Sequence, residues 1–239
     1  MMAAAAAAAC LTVAASASAG AGLRTGLSPV GDGPQAVPAT SSAQSLAARL
    51  QKKYATIRDF SADFVHSYEG GVLRKQLTER GQVLVKKPGM MRWEYTEPDH
   101  KLFVSDGVKL YSYIPADKQV IVTSVPREDE ATTPVLFLAG KGDLTRDFAP
   151  SLVEPPPGMP PGTLALKLVP KTRQPEYDWL VLAVEPGTLT LRGLVTVDAE
   201  GGQSTFSFRN MKENVHLSDK EFAFKIPRGV DVVTQPARR

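Results

Sequence analysis

From residue 60 to 122 apolar side chains recur at alternate positions, in short runs broken by turn residues. That is the period of half-buried β-strands. Phe60-Ser61-Ala62-Asp63-Phe64-Val65-His66-Ser67-Tyr68 gives a first strand and Gly70-Gly71 a turn. Residues 73–85 give a second, with Gly81 marking a bend or bulge. Pro88-Gly89 then sets a tight turn, because Pro fixes φ and Gly accepts positive φ. In the strand that follows, Met91, Trp93 and Tyr95 share one face, and Arg92, Glu94 and Thr96 share the other. Segments 101–105 and 109–114 flank Asp106-Gly107, a hairpin signal. Ala116-Asp117-Lys118 turns into a strand at 119–123. Further strands are expected at 163–169, 179–185, 189–198, 203–209 and 221–226, with Glu200-Gly201-Gly202 as another hairpin turn.

Helical spacing occurs twice. Leu46, Leu50 and Tyr54 fall at i, i+4 and i+8, with Ala47 beside them and Ser42 as the expected N-cap. Residues 132–140 carry a Thr cap, Pro134 at the first helical position and Gly140 just beyond the end. This second helix has almost no polar face, which fits a lid over an apolar surface better than a solvated helix. Segment 154–162 is a rigid Pro-rich loop. About ten strands with two or three short helices predict an antiparallel sheet, curved and covered on its apolar face by helices.

The ends of the chain differ in composition. Residues 1–22 are uncharged and Ala-rich, and both Ala15-Ser16-Ala17 and Ala17-Ser18-Ala19 fit a small-x-small cleavage site. They are expected to be a secretory signal peptide, although no Lys or Arg precedes the apolar run. Residues 23–43, rich in Gly, Pro, Ser, Thr and Ala, read as a flexible linker, 44–234 as the folded domain and 235–239 as a tail. Cleavage removes Cys10, the only cysteine, and export without disulfides suits a bacterial periplasm. The competing reading makes Cys10 the acylated residue of a membrane-anchored lipoprotein. A net charge of +3, from 28 basic residues scattered among 25 acidic ones, argues against nucleic-acid binding.

Catalytic patterns are lacking. His66, His100 and His216 have no metal-binding spacing, no phosphate loop or nucleophile elbow occurs, and a carboxylate pair among Glu94, Glu97, Asp99 and Asp106 has weak support. No catalytic residue, metal or cofactor is therefore assigned. What recurs is aromatic and Met character on strands, at Phe60, Phe64, Met91, Trp93, Tyr95, Phe103, Tyr111, Tyr113, Phe206, Phe208, Phe222 and Phe224. Any one of these fits an ordinary core; together with the apolar helix they also fit a cavity lined by the concave face of a sheet.

The run Val85-Lys86-Lys87-Pro88-Gly89-Met90-Met91-Arg92-Trp93-Glu94-Tyr95 closely resembles the LolA family of periplasmic outer-membrane lipoprotein carriers. So do Pro98, Leu102-Phe103-Val104-Ser105-Asp106-Gly107, Tyr113-Ile114-Pro115, Thr133-Pro134-Val135-Leu136-Phe137-Leu138 and the segment from Phe222 to Val232. The resemblance implies a mainly β fold with short helices, an incomplete, half-open antiparallel β-barrel covered by a helical lid. It implies a chaperone that is not an enzyme, taking acylated lipoproteins from an inner-membrane ABC transporter of the LolCDE kind. An outer-membrane acceptor of the LolB kind would receive them. The alternative is a membrane-anchored, LolB-like acceptor or lipid-sensing domain of the same fold. The expected lipid-binding residues are Leu50, Phe64, Met91, Trp93, Tyr95, Leu136 and Phe137 in a monomer. The family's Arg before the motif Pro holds the lid closed, and Lys87 stands there as the expected latch, while Met91 replaces a family aromatic at the cavity mouth and transporter contact. Burial gains about 0.8 kcal/mol per CH₂, so a sixteen-carbon chain is worth on the order of 12 kcal/mol, and a carrier must offer comparable apolar surface.

Overall fold

A computed structural model describes residues 39–70, 76–125, 142–174 and 177–234. Its chain order is α1 (Ala39–Thr56), β1 (Asp59–Glu69), β2 (Gln76–Lys86), β3 (Met90–Glu97), β4 (Lys101–Asp106), β5 (Lys109–Ile114) and β6 (Gln119–Ser124). Then follow α2 (Leu144–Asp147), β7 (Phe148–Val153), β8 (Leu164–Pro170), β9 (Trp179–Val184), β10 (Leu191–Val197), β11 (Gln203–Glu213) and β12 (Asp231–Thr234). Short 3₁₀ turns occupy Pro115–Asp117 and Asp219–Phe222.

Among the described residues the strands form one sheet, ordered β12-β6-β5-β4-β3-β2-β1-β11-β10-β9-β8-β7. Two antiparallel meanders, β1–β6 and β7–β11, meet where β11 returns beside β1. The sheet does not close, and β7 and β12 are its edges. Buried side chains of α1 share one core cluster with strands β1 to β3 and β7 to β11, so the sheet curls around that helix. This is the expected half-open barrel, mainly β with short helices. One pairing departs from the antiparallel rule, since β12 runs parallel to β6.

Several local expectations need correction. Helix α1 begins at Ala39, so Ser42 lies inside it rather than capping it, and residues 39–43 are helical. Residues 221–226 do not form a strand: Phe222 closes a 3₁₀ turn, and the chain then runs irregularly to β12. Strands β7 and β12 and helix α2 carry no sequence forecast. The apolar helix expected at 132–140, with Leu136 and Phe137, lies outside the described residues.

The two faces of the sheet are covered differently. On the inner face Phe60, Phe64, Val83, Val85, Met91, Trp93, Leu182, Leu194, Phe206 and Phe208 pack with Leu46, Leu50 and Tyr54 of α1. On the outer face Leu102, Val104, Val120 and Val122 are buried as well. They pair in register with Tyr113 and Tyr111, whose rings lie 5.9 and 5.3 Å from Phe224. The segment around Phe222 crosses β3 and β4 there. Tyr111, Tyr113, Phe222 and Phe224 thus serve an outer strap and do not line the concave face. Farther along, Ala165, Val181 and Val195 form a small outer cluster with Trp179. The Pro-rich loop lies over neighbouring Gly193, where a Cβ would come within 3.0 Å of Met159 Cε.

Candidate functional site

The inner face centres on an aromatic wall. Phe64 of β1 meets Trp93 at 5.1 Å and Tyr95 at 4.8 Å between ring centroids, and Trp93 meets Phe206 at 5.3 Å. These residues converge because β1, β2 and β3 pair so that Phe64 faces Gly81 and Gly81 faces Tyr95. A Cβ on Gly81 would overlap the Glu94 carbonyl oxygen and approach Phe64 Cζ at 2.8 Å. The expected bulge at Gly81 is present as a register shift between Arg80 and Gly81, and the missing side chain leaves room for the Phe64 ring. Leu50 is fully buried, and Met91, Trp93 and Tyr95 are nearly so. The alternation of β3 therefore faces the side forecast for it.

At one end of this wall the chain ties down α1. Lys87 Nζ donates to the Tyr54 carbonyl in the last turn of the helix and lies 5.7 Å from the Tyr54 ring centroid. A cation at this end meets the free carbonyls and the negative pole of the helix. Burial lowers the Lys87 pKa, since the ammonium loses water there. Lys53 pairs with Glu213 of β11, and Gln51 Oε1 accepts from Leu144 N–H of α2 at 2.9 Å. Lys87 thus reaches a carbonyl of a covering helix, and that helix is α1.

The opposite end of the wall carries a polar cluster with no sequence forecast. His66 Nδ1 lies 3.3 Å from Glu79 Oε2, and Nε2 lies 3.3 Å from Ser204 Oγ. Lys101 Nζ donates to Glu79 Oε1, and the Tyr95 hydroxyl lies 3.5 Å from His66 Nδ1. The imidazole stacks on Phe206 at 4.2 Å and 3°. Burial lowers the His66 pKa against the smaller upward pull of Glu79, and burial with Glu79 nearby raises the Tyr95 phenol. The spacing of His66, Glu79, Lys101 and Ser204 has no motif; only the register of four strands brings them together. Among the described residues no group of three or more His, Cys, Asp or Glu could hold a metal ion.

The family model described as "Outer membrane lipoprotein carrier protein LolA" matches residues 55–225. An outer-membrane lipoprotein carrier protein of Chromohalobacter salexigens is 34% identical over 204 residues, covering 84% of this chain and 92% of that protein. One from Bordetella avium is 31% identical over 198 residues, covering 82% and 90%. The chain belongs to the LolA family. A conserved protein of Thermus thermophilus is similar in structure with a TM-score of 0.49 and 14% identity, covering 81% of this chain and 99% of that one.

The LolA match takes in β1 to β11, the aromatic wall, Lys87 and the polar cluster. It leaves out β12 and nearly all of α1. In this LolA-family chain two clefts among the described residues open on the outer face. One, of about 440 Å³, is lined by Ser61, Asp63, Gln82 and Asn210. The other, of about 780 Å³, is bounded by Arg80, Glu94, Thr96 and Arg209. Neither touches Leu50, Met91 or Trp93, but Phe64 borders the second. The described side chains of α1 and of the inner face pack against one another in one core cluster.

Proposed function

We propose that this chain is a periplasmic carrier of acylated outer-membrane lipoproteins. It takes them from an inner-membrane ABC transporter of the LolCDE kind and passes them to a LolB-like acceptor. Membership of the LolA family supports the reading. The observation that carries it is the continuous apolar inner face, on which Phe64, Met91, Trp93 and Tyr95 share one core with Leu50 of the amphipathic helix α1. These five side chains, with Leu136 and Phe137, are the proposed acyl-chain contacts. Residues 1–22 serve as the export signal and 23–38 as a linker ahead of α1.

The mechanism needs no covalent step in this chain. An acyl chain gains about 0.8 kcal/mol per CH₂ on leaving water, which holds the cargo. Release needs an opposing term. Closing α1 onto the empty wall restores the contacts of Leu46, Leu50 and Tyr54 and the Lys87 and Lys53 bonds. Cargo binding is weakened by the free energy needed to open that contact. The carrier thus binds acyl chains less tightly than the same wall left open would.

Mixing the mature protein with an acylated lipoprotein, and separately with the same lipoprotein lacking its acylated cysteine, tests the reading. Gel filtration is expected to show a soluble complex with the acylated form alone. Equal retention of both forms would overturn it.

A further inference from the structure

The inner wall is apolar over most of its length, but among the described residues it holds one buried donor without an acceptor. Trp93 is buried, and its indole Nε1–H has no hydrogen-bond acceptor among the described residues. Such groups are rare in folded proteins, and each calls for an explanation. Trp93 lies between Phe64 and Phe206, and Phe206 carries the stacked His66 ring. Trp93 and Tyr95 are neighbours on the buried face of β3, so the residue with the orphan donor stands next to one that reaches the polar cluster.

The cluster itself is rich in donors. A carboxylate only accepts, so Glu79 takes the Nδ1–H of His66 and one of the three N–H groups of Lys101. His66 Nε2 is then left to accept the Ser204 hydroxyl proton. The Tyr95 oxygen faces Nδ1–H at 3.5 Å, so its own proton is not used there. The Tyr95 O–H and the remaining Lys101 N–H groups stand at one end of the wall, and the Phe64 ring joins Tyr95 to Trp93. Lys101 balances the charge of Glu79, so the group suits a neutral acceptor better than an ion.

We propose that Trp93, Tyr95 and Lys101 form a subsite for the ester carbonyls of a diacylglyceryl group, which sets the direction in which the acyl chains enter. The proposal rests on the carrier reading above. His66 lies six residues beyond Phe60, about 20 Å along the strand at about 3.3 Å per residue. The carbonyl end lies at the Tyr95 end, and the chains run toward Met91 and Leu50, beneath the α1 turn held by Lys87. Glu79 and His66 act as positioning residues, holding Lys101 and Tyr95 at the mouth of the wall.

Two synthetic probes separate the ideas: a dipalmitoylglyceryl-cysteine peptide, and its diether analogue, which has the same chains but no carbonyls. The protein is expected to bind the ester about tenfold more tightly, the scale of a hydrogen bond gained by a buried, unpaired donor. Tyr95→Phe and Trp93→Phe should each move the ester-to-ether ratio toward one. Tyr95→Phe removes a single oxygen, so it keeps the test alive should Trp93→Phe fail to fold. Equal affinities of the unaltered protein for ester and ether would overturn the subsite and leave the carrier reading intact. Binding of neither probe would overturn the carrier reading and the subsite with it.

Discussion

His66 shows how one residue couples the site to solution conditions. Its imidazole is stacked on Phe206 and loses water, which lowers its folded-state pKa below the ordinary value of 6.5 despite the neighbouring Glu79. Between the lowered value and 6.5, the unfolded chain binds a proton that the folded chain does not. The stability that depends on neutral His66 is therefore present above that window and lost as the pH falls through it. Thermal unfolding at about pH 7.5 and about pH 5 checks this. His66→Gln should narrow the drop in Tm between the two; an unchanged drop would show that other groups set it. Lys87 belongs to the same scale. The sequence identified it through the motif and the Pro that follows, but could not show that its acceptor is the Tyr54 carbonyl.

At the scale of elements, α1 is the part of the described fold expected to open first. It packs by one face only, whereas β1 is paired on both sides along almost its whole length, to β2 and β11. Few-sided packing favours local opening at a free energy below that of global unfolding. Amide exchange in the second half of α1 is expected to be faster than in the middle of β1, and Lys87→Leu should quicken it further. In a transfer assay that variant should bind cargo yet hand it on poorly. Normal transfer would show that Lys87 is only a helix cap.

The same scale shows what the sequence could and could not reveal. Strands β1 to β6 were legible because each has a clear period of two and ends at a Gly or Pro turn. Strand β7 was hidden because Pro150 interrupts it, and Pro is tolerated there because β7 is an edge. Strand β12 has four exposed residues and almost no pattern. The alternation of Phe222 and Phe224 looks like a strand but anchors a strap, one ring buried and the other against Tyr111 and Tyr113. For the site, Met91, Trp93 and Tyr95 were legible as one face. The His66–Glu79–Lys101 cluster was not, since pairing register is absent from local spacing.

For the molecule as a whole, the two faces have separate tasks. In the proposed mechanism the inner face exchanges α1 contacts for cargo, while the outer face is held by the strap that carries Phe222 and by the Pro-rich loop. Phe222→Ala removes a side chain that is 1% exposed and is expected to cost about 3–5 kcal/mol of stability. Retention of acylated lipoprotein by the fraction still folded should not change. Loss of retention in step with stability would mean that the strap takes part in the cargo site.

The parallel pairing of β12 with β6 has a mechanical consequence. Because β12, the last strand described, pairs with the strand that closes the first meander, the polypeptide loops back and clamps the outer side of β3 to β6. A hinge works only when one leaf is stiffer than the other. Here the stiff leaf is fastened from behind by the strap and β12, so lifting the front cover need not unravel the frame on which it turns.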